Sequence, residues 1–366
     1  MHRLRELDFL RGIAIMLVLF RHQLLFGWLQ NMGWIGVDLF FVLSGFLVSG
    51  LLFKEYLKYG SIKPFRFLIR RGFKIYPIYY IFYLPYLFNL IIYTKINFAW
   101  LFSDLFFIQN YTRGWGYAFT PSWSLAIEEH FYFGFSAVLL LITRQNKILL
   151  KPDNNQPWYK QFETTLLFTM VLCLGMRFVS NMVLNDNVRN FTMTHLRIDS
   201  LLMGVFISYI FYFKPGVLQN LVARYKYVLG VVCLAGLCWT PFVDAPVASF
   251  FVRTIGFSLL YISFGTLLVL FLCLHNINEK LNSVFSKPLV SLVSKIGFCS
   301  YSIYIIHDYI DWFWASFISH FHFHFNHYFN FVVTASCGIA AGMLMTYYIE
   351  SYFLKQREKY YPSRAA

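Results

Sequence analysis

Arg11 and His22 lie eleven residues apart inside the apolar stretch LDFLRGIAIMLVLFRHQLLFGW, Leu7 to Trp28. The stretch is long enough to span hydrocarbon as a helix. At about 100° per residue, eleven residues make about three turns. Both side chains therefore share one stripe, about 16 Å apart along the axis. Ionisable groups in a membrane helix are costly and face a protein interior or a wet cavity. Two on one stripe predict a polar seam through the bilayer. An imidazole so placed could move a proton near neutral pH, and a guanidinium could hold an anion. The structural alternative is an arginine reaching for headgroups and a histidine satisfied inside the bundle.

A second group of reactive types follows Thr120-Pro121-Ser122-Trp123, which reads as a polar cap and a proline opening a helix. In the span that follows, Glu128 and Glu129 lie about two turns in. Adjacent carboxylates face about 100° apart, so at least one points into the bundle, and Ser124 shares a face with Glu128. Pairing with a buried cation such as Arg21 or Arg177 is the alternative for either carboxylate. A third group, Arg70, Arg71 and Lys74, closes a run of seven basic residues that begins at Lys54 and precedes Pro77. Cations clustered at the mouth of a bundle could clamp phosphates. Neither GxxxxGK[ST] nor GxGxxG is present, so the sequence offers no NTP or dinucleotide signature.

Other polar groups are less specific. Asp38 sits near His22 by topology and could orient the imidazole or cap its helix. Arg197 could bind an anion or pair with Asp199. His307 and Asp308 read as a structural polar pair. His320, His322, His324 and His327 lack neighbouring carboxylates or cysteines, so no metal is expected.

The elements that position these groups follow from composition. Of 366 residues, 58% are hydrophobic and 13% charged, with mean hydropathy +0.55. This describes an all-α, polytopic membrane protein. Apolar runs at 7–28, 34–53, 75–93, 122–143, 162–184, 195–213, 227–243, 250–274, 295–318 and 328–350 give about ten transmembrane helices. The net charge of +14 suggests nucleic acid, but its distribution does not. Of 31 Lys and Arg, 23 fall on one side of the ten spans and 3 on the other, which places both termini in the cytoplasm. The organisation expected is one membrane domain, 1–353, and a basic cytoplasmic tail, 354–366. The six cysteines lie in apolar runs without CxxC and read as small core residues. No small-residue cleavage site follows the first apolar run, so it reads as a retained helix. The aromatic connection 94–121 is too interrupted to span and reads as interfacial or re-entrant.

These segments, in this order, resemble the acyltransferase-3 family of integral membrane acyltransferases, which includes bacterial glycan O-acetyltransferases. The resemblance rests on LDFLRGIAIMLVLFRH, fitting the family's Arg-x10-His pattern, then GVDLFFVLSGFLVSGLL, RRGFKIYP, PSWSLAIEEHFYF, HLRIDSLLMGV, KIGFCSYSIYIIHDYI and YYIESYF. Two departures stand out. The family's cytoplasmic Arg-x2-Arg is Arg71-Gly72-Phe73-Lys74 here, which keeps charge but loses one fork. The chain also ends after the tenth span, so no SGNH-type domain is expected.

The resemblance implies a bacterial inner-membrane enzyme that moves an acyl group from cytoplasmic acyl-CoA, usually acetyl-CoA, to an acceptor hydroxyl. The acceptor would be an extracytoplasmic or membrane-linked glycan in the cell envelope. On that reading His22 is the general base, with Glu128, Glu129 and Asp38 as supporting catalytic groups. Arg11, Arg70, Arg71 and Lys74 hold the donor, and Trp123, Ser124 and Arg197 contact the acceptor. The partners expected are the acyl-CoA donor, the hydroxyl acceptor and membrane lipid, with no nucleic acid. A glycolipid flippase or a non-catalytic envelope-assembly partner are the other classes that fit a polar seam, although no internal repeat supports a transporter. The charge split gives a direct test. Single cysteines at positions 58 and 147 should label from the cytoplasmic side and those at 113 and 326 from outside. External labelling at 58 contradicts the topology.

Overall fold

The computed structural model describes residues 4–22, 24–93, 95–145, 150 and 161–364. Lys147 lies outside the described residues. The described chain is helical, with no strand. In order the helices are α1 (Arg5–His22), α2 (Gly27–Met32), α3 (Gly36–Tyr59), α4 (Pro64–Tyr93), α5 (Phe98–Leu105), α6 (Gln109–Thr112) and α7 (Ser122–Gln145). Then come α8 (Phe162–Val183), α9 (Asn187–Thr192), α10 (Ile198–Phe213), α11 (Val217–Leu237), α12 (Phe257–Cys273) and α13 (Ile277–Phe285). The last are α14 (Lys287–Phe298), α15 (Ser300–His320), α16 (His327–Leu344) and α17 (Ser351–Tyr360). Among the described residues, seven helices are long and apolar enough to cross a membrane, or eight if α14 and α15 form one bent span.

Each of the ten expected apolar runs is helical, but several differ in form. α1 carries Glu6, Asp8, Arg11 and Arg21 in 18 residues, and α10 has only 16. At 1.5 Å per residue α10 reaches about 24 Å, short of the roughly 30 Å hydrocarbon core. The turn of 3-10 helix at Thr194–Leu196 and helix α9 extend it, with Asn190, Thr192 and Arg197 buried in protein. Irregular backbone is tolerated at depth only where protein covers it.

The basic run is not a loop. α4 starts at Pro64 and continues through Pro77 and Pro85, so Arg66, Arg70, Arg71 and Lys74 all project from one helix. Only 60–63 connect it to α3, which ends at Gly60 with φ 66° and the Gly60 N–H donating to the Tyr56 carbonyl. This left-handed residue is an ordinary helix stop. The ninth run is broken as well: α14 and α15 meet at 79° around Cys299, which brings the start of α15 to the centre of the bundle. The tail continues from α16 through a π-helical turn at Met345–Glu350 into α17.

Two helix crossings place the reactive residues. A methyl group at Gly204 on α10 would sit 2.1 Å from the Val42 carbonyl oxygen of α3, and one at Gly45 would sit 2.0 Å from the Leu201 carbonyl. On the other side, Gly297 of α14 lies against the Asp8 carbonyl of α1, leaving 1.8 Å for a methyl. In lipid, packing replaces the hydrophobic drive between helices, so small residues set how closely backbones approach. Gly204→Ala should therefore destabilise by about 1–3 kcal/mol despite the better helix propensity of alanine. Gly134→Ala, where no atom lies within 4 Å, should be neutral or mildly stabilising. Thermal unfolding in detergent measures both, and equal melting temperatures would show that the α3–α10 crossing is loose.

Candidate active site

Three cavities follow one another through the bundle and share walls. The first, about 410 Å³, opens among the basic residues and is lined by Glu55, Arg66, Arg70, Arg71, Lys74 and residues of the tail. Arg71 and Lys74 also line the second, a central cavity of about 120 Å³ with Arg11, Ser44, Ser124 and Glu128. Val37 and Tyr304 line both this cavity and the third, about 240 Å³, which holds His22, Asp38, Trp34, Trp115, Trp123 and Arg197. Arg11 and His22 thus face successive chambers of one path, as their shared stripe predicts.

The central cavity sets a few polar groups in a mostly apolar lining that includes Phe40, Phe41, Leu47 and Ile75. The Arg11 guanidinium donates to Ser300 Oγ at 3.0 Å and lies 3.9 Å from Asp8. The bend before α15 is what brings Ser300 there. Tyr132 O–H donates to Glu128 Oε2 at 2.8 Å and is 2.8 Å from Ser44 Oγ. The Arg71 guanidinium stacks over the Tyr132 and Phe67 rings, 5.6 Å from each centroid. No ion pair or hydrogen bond is recorded for Arg71 or Lys74 among the described residues, although both lie beside carboxylate-bearing chambers. Among the described residues, the other cations that line the three cavities each have a hydrogen-bond or ion-pair partner.

The wall between the central and third cavities is Tyr304. Its O–H donates to the Pro121 carbonyl at 2.9 Å and lies 2.7 Å from Ser124 Oγ. Ser124 in turn donates to the same carbonyl at 3.1 Å. The loop that ends at Pro121 is held by Asp104 of α5. Asp104 accepts from the N–H of Tyr117 and Ala118 at 2.8–3.0 Å and from Tyr83 O–H at 2.9 Å. Burial pushes this carboxyl above its ordinary range, and the two backbone N–H groups oppose the shift.

Several expectations from sequence are corrected. Asp38 does not orient His22. It is fully buried and accepts from Arg197 Nη2 at 2.7 Å. Arg197 also donates to the Phe191 carbonyl at 3.2 Å and stacks 3.4 Å from the Phe257 centroid, so its fork is occupied rather than open to an acceptor. Asp199 belongs instead to Arg177, at 2.7 Å. Glu129 accepts from Tyr76 O–H at 2.7 Å and lines none of the three cavities, and neither glutamate borders the His22 chamber. Arg70 is taken by Glu358, at 2.7 and 3.2 Å, and by the Tyr361 carbonyl.

The partners of His22 come from α15. His22 Nδ1 lies 3.7 Å from Asp308 Oδ1, and its ring stands edge-on to His307 at 4.7 Å. His307 Nδ1 lies 2.7 Å from the Tyr304 carbonyl. The pair read as structural therefore touches the candidate base. Its one local signal was the spacing Tyr304–His307–Asp308, which puts all three within about one turn of the same helix. Ser44, Tyr76, Tyr132 and Ser300 had no signal, since hydroxyls in apolar spans are common.

Comparison with known proteins agrees with this architecture. The profile of the acyltransferase-3 family, described as an acyltransferase domain, matches residues 4–350. The chain belongs to the acyltransferase-3 family. It is similar to "O-acetyltransferase OatA" of Staphylococcus aureus strain NCTC 8325, 28% identical over 327 residues, covering 82% of this chain and 49% of that protein. It is also similar to "Putative O-acetyltransferase SACOL0978" of S. aureus strain COL, 28% identical over 321 residues, with the same coverage. The chain thus spans about half the length of the curated relatives it matches. No solved structure matches.

If Asp38 serves Arg197 and not His22, Asp38→Asn should behave as a broken buried pair and cost about 3–5 kcal/mol. Adding Arg197→Gln should recover part of that loss, because the uncompensated charge goes with it. Folded yield and melting temperature of the single and double variants check this. A double variant less stable than the sum of the singles would contradict it.

Proposed function

We propose that this protein is a membrane O-acetyltransferase that takes its acyl group from acetyl-CoA at the basic mouth, on the cytoplasmic face of a bacterial inner membrane. It passes that group to an acceptor hydroxyl in the third cavity, a glycan hydroxyl on the outer side being the chemistry that cavity suits. The observation that carries this reading is the file of three wall-sharing cavities with unpaired cations at one end and His22 at the other. The relatives' printed names supply the acetyl group and the oxygen acceptor. The dominance of Lys and Arg on one side supplies the orientation.

Each chamber has a role in this proposal. Arg71 and Lys74 hold donor phosphates at the threshold. The acyl end enters the central cavity, whose 120 Å³ is about four times the ~30 Å³ share of a liquid water and suits a short acyl group. Three tryptophans in the third cavity offer faces for a sugar ring, with Arg21 and His22 among its polar lining. His22 Nε2 accepts the acceptor O–H proton while Asp308, 3.7 Å from Nδ1, stabilises the imidazolium that forms. The oxygen adds to the thioester carbonyl and collapse breaks the C–S bond, while Arg11, about 16 Å from His22 along the helix axis, holds the donor arm in the central chamber. The ester is formed, and the CoA thiolate takes up the proton from the imidazolium. Tyr304 must leave its Ser124 and Pro121 partners for the two chambers to meet during this step.

Purified protein given radiolabelled acetyl-CoA and a glycan acceptor should release CoA and label the glycan. His22→Ala should lower turnover by about 10²–10⁴-fold while keeping its fold and donor affinity. Arg71→Ala should weaken donor binding by about 1.5–3 kcal/mol, as for a lost charge-assisted hydrogen bond. A folded His22→Ala protein retaining more than about a tenth of wild-type turnover would remove His22 from the chemistry. Lipid movement independent of acetyl-CoA would favour a transporter instead.

A further inference from the structure

The mouth of the basic cavity is closed by the chain's own tail. Beyond α17 the segment 361–364 folds back over α4 and the end of α3. Arg66 donates from Nη2 and Nε to the Pro362 carbonyl, at 2.7 and 3.3 Å. Arg70 donates to Glu358 and to the Tyr361 carbonyl. Arg364 reaches Glu55 at 2.8 Å and stacks 4.2 Å over Tyr59. The cavity these residues line carries six cations, Arg66, Arg70, Arg71, Lys74, Arg357 and Arg364, against the carboxylates Glu55 and Glu358.

The partners of Arg66 and Arg70 differ in kind from those of the buried arginines. Arg177 and Arg197 are each met by a fully buried carboxylate. Arg66 has a single carbonyl oxygen, a neutral acceptor, shared by two of its N–H groups. Arg70 has a second carbonyl and a glutamate that is 47% exposed. An ion pair with so exposed a partner contributes little. A phosphate would give both forks charge-assisted, bidentate bonds, about twice as strong as neutral ones. Arg66 and Arg70 lie one turn apart on α4, and Lys74 one turn further on the same stripe leads to the central cavity.

We propose that Arg66 and Arg70 form a phosphate subsite for the nucleotide end of the donor, covered in this structure by the strap 358–364, which donor phosphates displace. This rests on the donor reading given above. The strap mimics the ligand with weaker acceptors. Its carbonyls and Glu358 keep the forks ordered when no donor is present, and Arg364 holds it down through Glu55 and Tyr59. The sequence motif at Arg71 and Lys74 then supplies the inner contacts and the strap-covered pair the outer ones.

Binding of acetyl-CoA to the purified full chain tests this, with five variants and one exchange measurement. Arg66→Ala and Arg70→Ala should each weaken acetyl-CoA binding by about tenfold or more. Glu358→Gln and Arg364→Ala loosen the strap and should tighten it by up to about fivefold. If Arg66→Ala misfolds, hydrogen exchange on the wild-type protein still decides. The peptide covering 357–364 should exchange faster when acetyl-CoA saturates the protein, while α4 is protected. Should acetyl-CoA bind and Arg71→Ala weaken it, but the strap stay protected and Glu358→Gln leave affinity unchanged or lower, the subsite is wrong and the donor reading stands. Should the wild-type protein not bind acetyl-CoA at all, the donor reading fails and the subsite fails with it.

Discussion

Every charge this chain carries into the bilayer has to be balanced within the protein, because hydrocarbon offers neither water nor counterion. The structure meets that demand with two fully buried pairs, Arg177–Asp199 and Arg197–Asp38, that join α3, α8 and α10. Their forks are further filled by the Leu196 and Phe191 carbonyls and by Ser258. Buried pairs of this kind add little net stability over an apolar packing, yet they tolerate no loss of one member. They therefore fix which helices stand together, and the close glycine crossings of α3 on α10 and α14 on α1 follow inside that frame. The helices so placed hold Arg11, Ser44 and His22 around the path, and the only cations left without recorded partners along it are Arg71 and Lys74 among the described residues.

The fold was largely legible in the sequence because membrane helices announce themselves by length and hydropathy, and their connections by charge. Each apolar run is helical. What could not be read were the departures from straight spans. Proline reads as a boundary in water, yet Pro77 and Pro85 sit inside α4, as membrane helices tolerate. The 79° break before α15 occurs without a proline at the junction, in a stretch where hydropathy is continuous.

The candidate site was legible where one helix carries the relation and hidden where two do. Arg11 and His22 on one stripe of α1 line successive chambers of one path, and Ser124 and Glu128 share the central cavity as their spacing implied. Asp38 misled, because nearness in topology said nothing about Arg197 arriving from 159 residues away. Asp308 went unread for the mirror reason: its meeting with His22 depends on α15 packing against α1. The tail read only as a basic cytoplasmic segment, and the contacts of its glutamate and carbonyls with α4 had no signal in the sequence.

A polar path across a membrane carries an electrical hazard. A chain of wet chambers from one face to the other would conduct protons down the potential, at about 2.3 kcal/mol per charge per 100 mV. Tyr304 stands at the wall between the central and third chambers, its hydroxyl committed to Ser124 and the Pro121 carbonyl. A phenol held this way offers no spare proton to either chamber, and its ring fills the passage with low-dielectric matter. The side chain that would separate donor from acceptor in the proposed reaction thus also insulates one compartment from the other. In the proposed reaction only a neutral acyl group crosses that point, carrying no charge through the field, while the ions on both sides stay where they are.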